Sequence, residues 1–272
     1  MVDTVEGKTT NLTGRVAAFL EKEKKAKCHG TEIVDILLNA FIDARLFGSS
    51  LAFKEQDKWE PKPVPKTLTG AVQIQHGEVK HLAQEVDING TSIFGSDEEK
   101  SQGTFTTYYG LRYALVAFHG IANEHSAKLS RMTDADYDLL LDAMWKGIRS
   151  MGNTRTKRGQ VPRLLISIIY KPGVEFQFGN LKDYVALTSA GEKPEKEWAS
   201  TADYKMDLGL LLKRIAERSD KIESVGYCLS PDTTTVQALP SGWKDLQIDG
   251  PMSKTSSRRF CREPRVGATG VH

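Results

Sequence analysis

The sequence predicts an α+β domain with a mostly antiparallel sheet, and three observations lead to this class. The run LLISIIY at 164–170 is almost entirely apolar, which is typical of a strand that is covered on both faces. Apolar residues recur at helical spacing in 31–47, 133–150 and 206–220. The resulting order is helix, strands with an insertion, helix, hairpin, helix and strand.

Composition and charge narrow the class of protein. With 272 residues the chain is long enough to bury a substantial core, and its formal net charge is only +2. Any affinity for nucleic acid must therefore come from local clusters of basic residues. Cys28, Cys228 and Cys261 lack CxxC spacing, which favours free thiols over a disulfide framework or a zinc site. We expect no bound metal and no cofactor. Neither a signal sequence nor an apolar run of membrane-spanning length is present, so a soluble, cytoplasmic protein without a membrane partner is expected.

The first third of the chain predicts helices followed by a strand. Residues 1–14 are polar and are expected to be disordered, and 15–27 has the composition of a short helix. A core helix begins at Thr31, whose hydroxyl is a plausible N-cap, and ends at Gly48. In 67–79, TLTGAVQIQHGEV, apolar and polar residues alternate, which predicts a strand with one buried face.

A long insertion follows at 80–103. It loses the strand periodicity but contains the isolated apolar pair Ile93 and Phe94, which favours a functional protrusion over a disordered loop. The next segment, FTTYYGLRYALVAFHG at 105–120, is apolar and aromatic and predicts a central strand. His119 at its end is expected to be structural, since no carboxylate or nucleophile lies at a sequence spacing that would indicate a catalytic site.

The second half of the chain predicts a helix, a hairpin, a helix and a last strand. Thr133 and Asp136 form a capping box for the first of these helices. A Pro-Gly turn at 172–173 leads from the buried strand into a partner strand at 174–178, and IESVGYCL at 222–229 is the last strand.

The predicted elements suit a ferredoxin-like or RNA-recognition-like core with its helices on one face of the sheet. We expect one folded unit over 1–229, into which 80–103 is inserted. No helical or strand periodicity is found after that unit, and 230–272 is expected to be a poorly ordered basic tail.

One loop concentrates cationic and amide side chains. No acidic residue occurs between 153 and 163, and the buried strand that follows presents this loop rigidly. A solvated loop is the alternative, but the rest of the chain uses acidic residues freely, which favours an anion-binding role here. The candidate ligands are Thr154, Arg155, Lys157, Arg158, Gln160 and Arg163.

No motif nominates a catalytic centre. The patterns GxxxxGK[ST], HExxH and GxSxG and the glycine-rich dinucleotide fingerprint are absent. The aromatic signature of a free-standing RNA-recognition motif is absent as well. We therefore expect a binding protein without catalytic residues.

Six motifs between Asp43 and Val185 occur in an order that resembles a known family. They are DARLFG, LTGAVQIQHG, KSQGTFTTYYGLRYALVAFHG, DYDLLLDAMWKG, RTKRGQVPRLL and FGNLKDYVAL. Together they closely resemble the CRISPR Cascade backbone subunit that binds guide RNA, of the type I-B variety, which is a member of the RAMP superfamily.

The resemblance implies a fold, a role and a set of partners. Members of the family have an RNA-recognition-like palm with a protruding thumb hairpin, and they polymerise head to tail along a guide RNA (crRNA). Each thumb folds over the guide and displaces a nucleotide at regular intervals, while base pairing reads the target DNA. The implied partners are guide RNA, target DNA, further copies of the chain and the other Cascade subunits, in a non-catalytic role in antiviral defence.

The resemblance also assigns residues. The thumb corresponds to about 80–103, with Ile93 and Phe94 as apolar wedges. The RTKRGQ motif, the SSLAFK loop and the strand that leads to the thumb supply contacts to the guide or lie near them. The positions so assigned are Ser49, Lys54, Gln73, Gln75, Arg155, Lys157, Arg158 and Gln160.

Two other functions stay open. Relatives in other CRISPR effector types are metal-dependent endoribonucleases that use an aspartate, for which Asp43 and Asp87 are the candidates. A pure oligomeric scaffold without nucleic acid would leave the acid-free loop unexplained. The chain also departs from the family, since the usual opening strand and its Asn-Pro-Asn-Gly-type loop are not found. Either the chain starts late, or its opening has diverged, or part of the natural N-terminus is missing; if the strand is absent, an open sheet edge would make the chain depend on neighbours or RNA for stability.

Replacing Phe94 with Ser tests the predicted wedge. Guide binding should be preserved, whereas pairing with target DNA should weaken because the apolar side chain that separates bases is lost. Electrophoretic mobility shifts with guide, and then with target, measure the two steps. Equal loss in both steps, or in neither, contradicts the thumb assignment.

Overall fold

The computed structural model describes most of the chain. The described residues are 4–5, 8–9, 18–23, 30–51, 66–91, 105–152, 157 and 159–248. Besides a helical turn at 18–22, the α-helices are α1 (Gly30–Ala40), α2 (Ile42–Phe47), α3 (Glu124–Ser130), α4 (Asp134–Ser150) and α5 (Gly209–Glu217). Short 3₁₀ helices lie at Leu181–Tyr184, Glu195–Glu197, Thr201–Asp203 and Ser219–Lys221.

The strands form small sheets that are mostly antiparallel, which confirms the α+β class. In chain order they are β1 (Thr4–Val5), β2 (Lys8–Thr9), β3 (Gly48–Leu51), β4 (Lys66–Thr69), β5 (Val72–Ile74), β6 (Glu78–Val79), β7 (Glu85–Thr91), β8 (Phe105–Leu111), β9 (Val116–Ala117), β10 (Gly120–Ala122), β11 (Leu164–Tyr170), β12 (Ala186–Ser189), β13 (Tyr204–Asp207), β14 (Ile222–Leu229) and β15 (Lys244–Asp245). The β1–β2 pair lies within the stretch that was predicted to be disordered. Of the helices in the described ranges, none has the length and apolar character that a membrane span needs.

The three-stranded sheet has the order β11–β14–β15. Strands β11 and β14 are antiparallel along their whole length, from the Leu164–Leu229 pair to the Tyr170–Ile222 pair. Strand β15 adds to β14 in the parallel direction. The predictions of a buried strand at 164–170 and of a last strand at 222–229 are both confirmed.

Helices cover both faces of the β11–β14 pair, and not one face as the sequence predicted. Leu165 packs with Trp145 of α4. Ile166, which is the next residue, belongs to the largest apolar cluster with Leu211 of α5. Because successive residues of a strand point to opposite faces and β11 is apolar on both, each face needs its own cover.

The predicted hairpin at 172–178 does not form. Its turn is present, with Gly173 at φ 73°, but the residues after the turn are not a strand. Phe176 and Phe178 pack around the ring of Tyr170, with ring centroids 5.9 and 6.2 Å from it. The two phenylalanines are drawn into the core, and β14 is the strand that pairs with β11.

Helix α4 begins with the predicted capping box, which is confirmed. Thr133 Oγ1 accepts a hydrogen bond from Asp136 N–H at 3.2 Å, and Asp136 Oδ2 accepts one from Thr133 N–H at 3.0 Å. The Arg45 guanidinium of α2 donates to both oxygens of the same carboxylate, at 2.8 and 2.6 Å. This hydrogen bond from Arg45 is the main reason that the pKa of Asp136 lies below its ordinary value. The ion pair between Arg45 and Asp136 therefore fixes the start of α4 to α2.

Two glycines allow the backbone at the end of α2 to contact the backbone at the end of the β3–β4 hairpin. Gly48 ends α2 as predicted, at φ 80°, although Phe41 is extended and divides the expected single helix into α1 and α2. A Cβ on Gly70 would overlap the backbone of Phe47 and lie 2.5 Å from the Gly48 nitrogen. The strand predicted over 67–79 therefore breaks at this crossing, into β4, which pairs with β3, and β5.

From β5 onward, residues 72–91 pair with residues 105–122 in one long two-stranded antiparallel β-ribbon, hereafter the ribbon. Strand β5 pairs with β10, β6 with β9, and β7 with β8. The segment 105–120 is thus three short strands and not one central strand, because two β-bulges interrupt the ladder. In the first bulge, 76–77 face Phe118, and in the second bulge, 81–83 face 113–114. Each bulge bends a ribbon and increases its twist.

Residues 230–248 are folded, although the sequence placed them in a poorly ordered tail. Ser230 and Ile248 are buried, and β15 joins the three-stranded sheet. Leu208 N–H donates to Gln237 Oε1 at 2.8 Å, which ties the segment to the start of α5. These contacts come from single residues without a repeating pattern, so periodicity could not reveal them.

Replacing Gly70 with Ala is expected to destabilise the chain by about 3 kcal/mol, because the new methyl group meets backbone that cannot move aside. Gly147 in α4 is the matched control, since a Cβ there meets nothing within 4 Å. Gly147→Ala is expected to stabilise by about 1 kcal/mol through helix propensity. Urea denaturation measures both free energies of unfolding, and effects of the same sign contradict the close crossing.

Candidate nucleic-acid interface

The described part of the basic loop is an exposed turn between α4 and β11. Lys157 and Gln160 are exposed, and Gln160 N–H donates to Lys157 O at 3.4 Å. Gly159 has φ 82°, a conformation that glycine adopts without strain. The other predicted ligands of this loop, Thr154, Arg155 and Arg158, lie outside the described residues.

Arg163, the last of the predicted ligands of this loop, has an acidic neighbour. Its side chain is only 20% exposed, and its Nη1 lies 3.8 Å from Oδ2 of Asp232. Its carbonyl oxygen accepts a hydrogen bond from Ser230 N–H at 2.9 Å, which ties the approach to β11 to the folded segment 230–248. Asp232 therefore offsets part of the positive charge that the loop sequence alone implies.

A second group of predicted contacts lies where the ribbon begins. Ser49 is half-buried on β3, which pairs with β4. Gln73 and Gln75 are exposed, and because they are two positions apart they share one face of the ribbon. Lys54, which the resemblance places near the same groove, lies outside the described residues.

Helix α4 connects the two groups and keeps them apart. Leu140, in the N-terminal half of α4, packs with Leu46 and Val72 at the root of the ribbon. The basic turn instead follows the C-terminal residue of α4, Ser150. The described residues of the two groups, Ser49, Gln73 and Gln75 on one side and Lys157, Gln160 and Arg163 on the other, therefore lie toward different ends of one helix.

The outer part of the ribbon, β7 and β8, contains described residues of the segment 80–103 that was predicted to be a thumb. Among the described strands, β7 and β8 pair only with each other. Tyr109 on β8 is 78% exposed, as expected for a two-stranded element that leaves the core. The wedges Ile93 and Phe94 fall between the end of β7 and the start of β8, outside the described residues.

An ion cluster that the sequence reasoning missed joins the ribbon to the core. Glu78 Oε2 lies 2.9 Å from Lys182 Nζ, and Glu78 Oε1 lies 3.6 Å from Lys80 Nζ. Lys80 Nζ also donates to Lys182 O at 3.0 Å. The hydrogen bond from Lys182 lowers the pKa of Glu78, so the carboxylate is charged at neutral pH. Both lysine side chains are at most 13% exposed, and they hold the ribbon in place.

His119 is buried beside this cluster. Burial lowers its pKa, and the positive charge of Lys182 lowers it further, while Asp183 acts in the opposite direction. The neutral imidazole is therefore the dominant form at physiological pH, which favours the structural role that the sequence predicted.

The carboxylates considered for the ribonuclease alternative lie on separate elements. Asp43 Oδ1 accepts a hydrogen bond from Ala44 N–H at 3.0 Å in the first turn of α2. Asp87 is exposed on β7. Within the described ranges, no three His, Cys, Asp or Glu side chains come together as a possible metal site.

The sequence matches the family model for CRISPR-associated protein Cas7 over residues 5–209, which include the ribbon and the basic loop. The chain belongs to the Cas7 family. The resemblance stated from the sequence is thus confirmed.

One relative is a CRISPR-associated protein Cas7 from Haloferax volcanii, which is 27% identical over 209 residues. The match covers 72% of this chain and 60% of the relative, so the chain spans less than two thirds of that relative's length. A chain of a solved CRISPR RNA-guided surveillance complex in a pre-nicking state is similar over 80% of this chain and 56% of its own length, with a TM-score of 0.43 and 13% identity.

Replacing Lys182 with Met is expected to raise the pKa of His119, because a nearby positive charge is removed and Glu78 loses its closest cation. An NMR titration of the His119 ring protons measures the change. Lys205→Met, at an exposed position on β13, is the control for which we expect no shift. A pKa of His119 that falls or stays constant in the Lys182 variant contradicts the electrostatic coupling.

Proposed function

We propose that this chain is a non-catalytic subunit that binds guide RNA (crRNA) and polymerises into the backbone of a type I CRISPR surveillance complex. The observation that carries the proposal is a long exposed ribbon that leaves a folded core in a chain of the Cas7 family. In this role the outer ribbon is the thumb, and the basic loop holds the phosphates of the guide.

The core serves as an RNA-recognition-like, ferredoxin-like palm. Its antiparallel β11–β14 pair with α4 and α5 supports this assignment. A free-standing RNA-recognition motif binds bases on an open sheet face through aromatic residues. Here both faces of β11 and β14 are covered, so the guide contacts come from the loop and the ribbon. The thumb then comprises the insertion at about 80–103 together with β8, the strand that pairs with it, and the palm comprises the rest of the chain up to 248. The basic tail is shortened to 249–272.

The guide is held through its phosphates and riboses and not through its base sequence. Arginine and lysine supply charge to phosphates, and hydroxyl and amide side chains add hydrogen bonds that fix the position of the strand. Binding is then indifferent to guide sequence and falls steeply with salt. The residues proposed for these contacts are Ser49, Lys54, Gln73, Gln75, Thr154, Arg155, Lys157, Arg158, Gln160 and Arg163, of which Arg163 is the weakest because of Asp232.

The thumb acts on the guide by displacing nucleotides. Ile93 and Phe94 are proposed as the wedges at its tip, and unstacking a base with an apolar side chain is a known physical device. The guide segments between thumbs then pair with target DNA, and the protein supports this pairing without reading it. Further copies of the chain and the other Cascade subunits complete the complex in antiviral defence.

No residue is given a catalytic role. A metal-dependent ribonuclease of the same superfamily needs a carboxylate that converges on the RNA. Asp43 accepts a hydrogen bond within its own helix, and Asp87 lies on the ribbon, so no contact favours this alternative.

The double variant Arg155→Glu and Arg158→Glu tests the guide site. Loss of two phosphate contacts should reduce the slope of log K against log salt by about 1.4 and abolish assembly on the RNA, while the fold is preserved. Size-exclusion chromatography with absorbance at two wavelengths, on protein expressed with its own repeat RNA, measures assembly and RNA content. A salt titration of guide binding gives the slope.

Lys205→Glu with Lys213→Glu is the charge-matched control, because both lysines are exposed on elements away from the loop. The control should elute as a large, RNA-containing assembly, like the unsubstituted chain. Unchanged RNA affinity in the loop variant removes the loop from the site. An unsubstituted chain that is monomeric and free of RNA contradicts the proposed function itself.

A further inference from the structure

The second bulge of the ribbon is built around His81. His81 is 9% exposed, its Nε2 accepts a hydrogen bond from Leu115 N–H at 3.2 Å, and its Nδ1 lies 3.1 Å from Leu82 O. Because a backbone N–H can only donate, Nε2 carries no proton, and Nδ1–H is the donor to Leu82 O. The ring therefore bridges the two strands at the point where their own ladder is interrupted.

The same ring enters a buried aromatic cluster of the core. Its centroid lies 5.5 Å from the Trp198 ring and 5.8 Å from the Tyr113 ring. Trp198 is 3% exposed, so one side of the contact is rigid core. Tyr113, on the other strand of the ribbon, shares a 2.9 Å hydrogen bond with the hydroxyl of Tyr204, which is 2% exposed. Both strands of the ribbon are thus anchored to the core at the second bulge.

Polar contacts on either side of His81 reinforce the anchor. Leu82 N–H donates to Glu195 Oε2 at 3.2 Å, and Lys80 Nζ donates to Lys182 O at 3.0 Å. Three consecutive residues of one strand therefore contact the core. A bulge leaves backbone groups free of the ladder and re-aims a strand, and here the freed Leu82 N–H bonds to a residue outside the ribbon.

We propose that His81 is a positioning residue that fixes the angle at which the β7–β8 part of the ribbon leaves the core. The consequence rests on the proposed function: if each thumb crosses the guide at a regular interval, this angle sets where the crossing falls. His81 touches no RNA in this role. It acts through the ribbon that it holds.

Distance measurements on the RNA-free chain test the proposal. Spin labels at Asp87→Cys on β7 and Lys213→Cys on α5, with Cys28 and Cys261 replaced by Ser, report the ribbon-to-core distance by double electron–electron resonance. His81→Phe keeps an aromatic ring but removes both ring hydrogen bonds, and the distance distribution should become at least about twofold broader. His125→Phe makes the same change at an exposed position on α3 and should keep the narrow distribution of the unsubstituted chain.

A second pair of variants separates positioning from loss of fold. Glu195 is exposed, so Glu195→Ala should fold normally while Leu82 N–H loses its acceptor, and the distribution should broaden. Glu195→Gln keeps an acceptor oxygen and should restore the narrow distribution. A narrow distribution in His81→Phe, or a broad one in the unsubstituted chain, overturns the proposal.

Nuclease footprinting of the guide in the assembled complex completes the test. His81→Phe should lose the regular spacing of protection, while guide affinity changes by less than about threefold because no phosphate contact is removed. Regular spacing in this variant also overturns the proposal. An unsubstituted chain that binds no guide contradicts the proposed function alone, since the distance measurement needs no RNA.

Discussion

The close backbone crossing at Gly48 and Gly70 is the constraint on which the rest of the structure depends. No side chain fits between the end of α2 and Gly70, so the two backbones stay in contact where the ribbon begins. Beside the crossing, the bidentate Arg45–Asp136 pair fixes the first turn of α4 to α2. Removing one partner of such a half-buried pair leaves an uncompensated charge, which makes the arrangement hard to alter locally. The same contacts therefore set α4, which ends at Ser150 before the basic loop, relative to the root of the ribbon.

The ribbon is attached to the core at its inner part and is more exposed at its outer part. A two-stranded ribbon is marginally stable by itself in water. The first bulge packs the Phe118 ring over Gly77, and the ion cluster and the second bulge attach the ribbon to the core. Beyond that point β7 and β8 have no other strand partner among the described residues. This division suits a thumb that must cross a guide strand at a fixed place and still insert apolar side chains between bases.

Features with a local signal could be predicted from the sequence, and those that depend on distant partners could not. The capping box at Thr133, the helix end at Gly48 and the strands β11 and β14 carry their own residue patterns. The ribbon register does not, because 105–120 is apolar enough to be one strand and only its pairing with 72–91 shows the bulges. Lys80 and Lys182 are 102 positions apart, so no spacing rule connects them. The order of six motifs identified the family, whereas the guide contacts on the basic loop and the wedges stay predictions.

Ultraviolet cross-linking of the assembled complex, combined with mass spectrometry of peptide–nucleotide adducts, tests most directly whether guide RNA lies between the basic loop and the ribbon. Guide binding there predicts adducts in 153–163, at 73–75 and at the tip between β7 and β8. Adducts confined to other surfaces, such as α5 or the segment 186–207, would contradict it, and so would an assembly that contains no RNA.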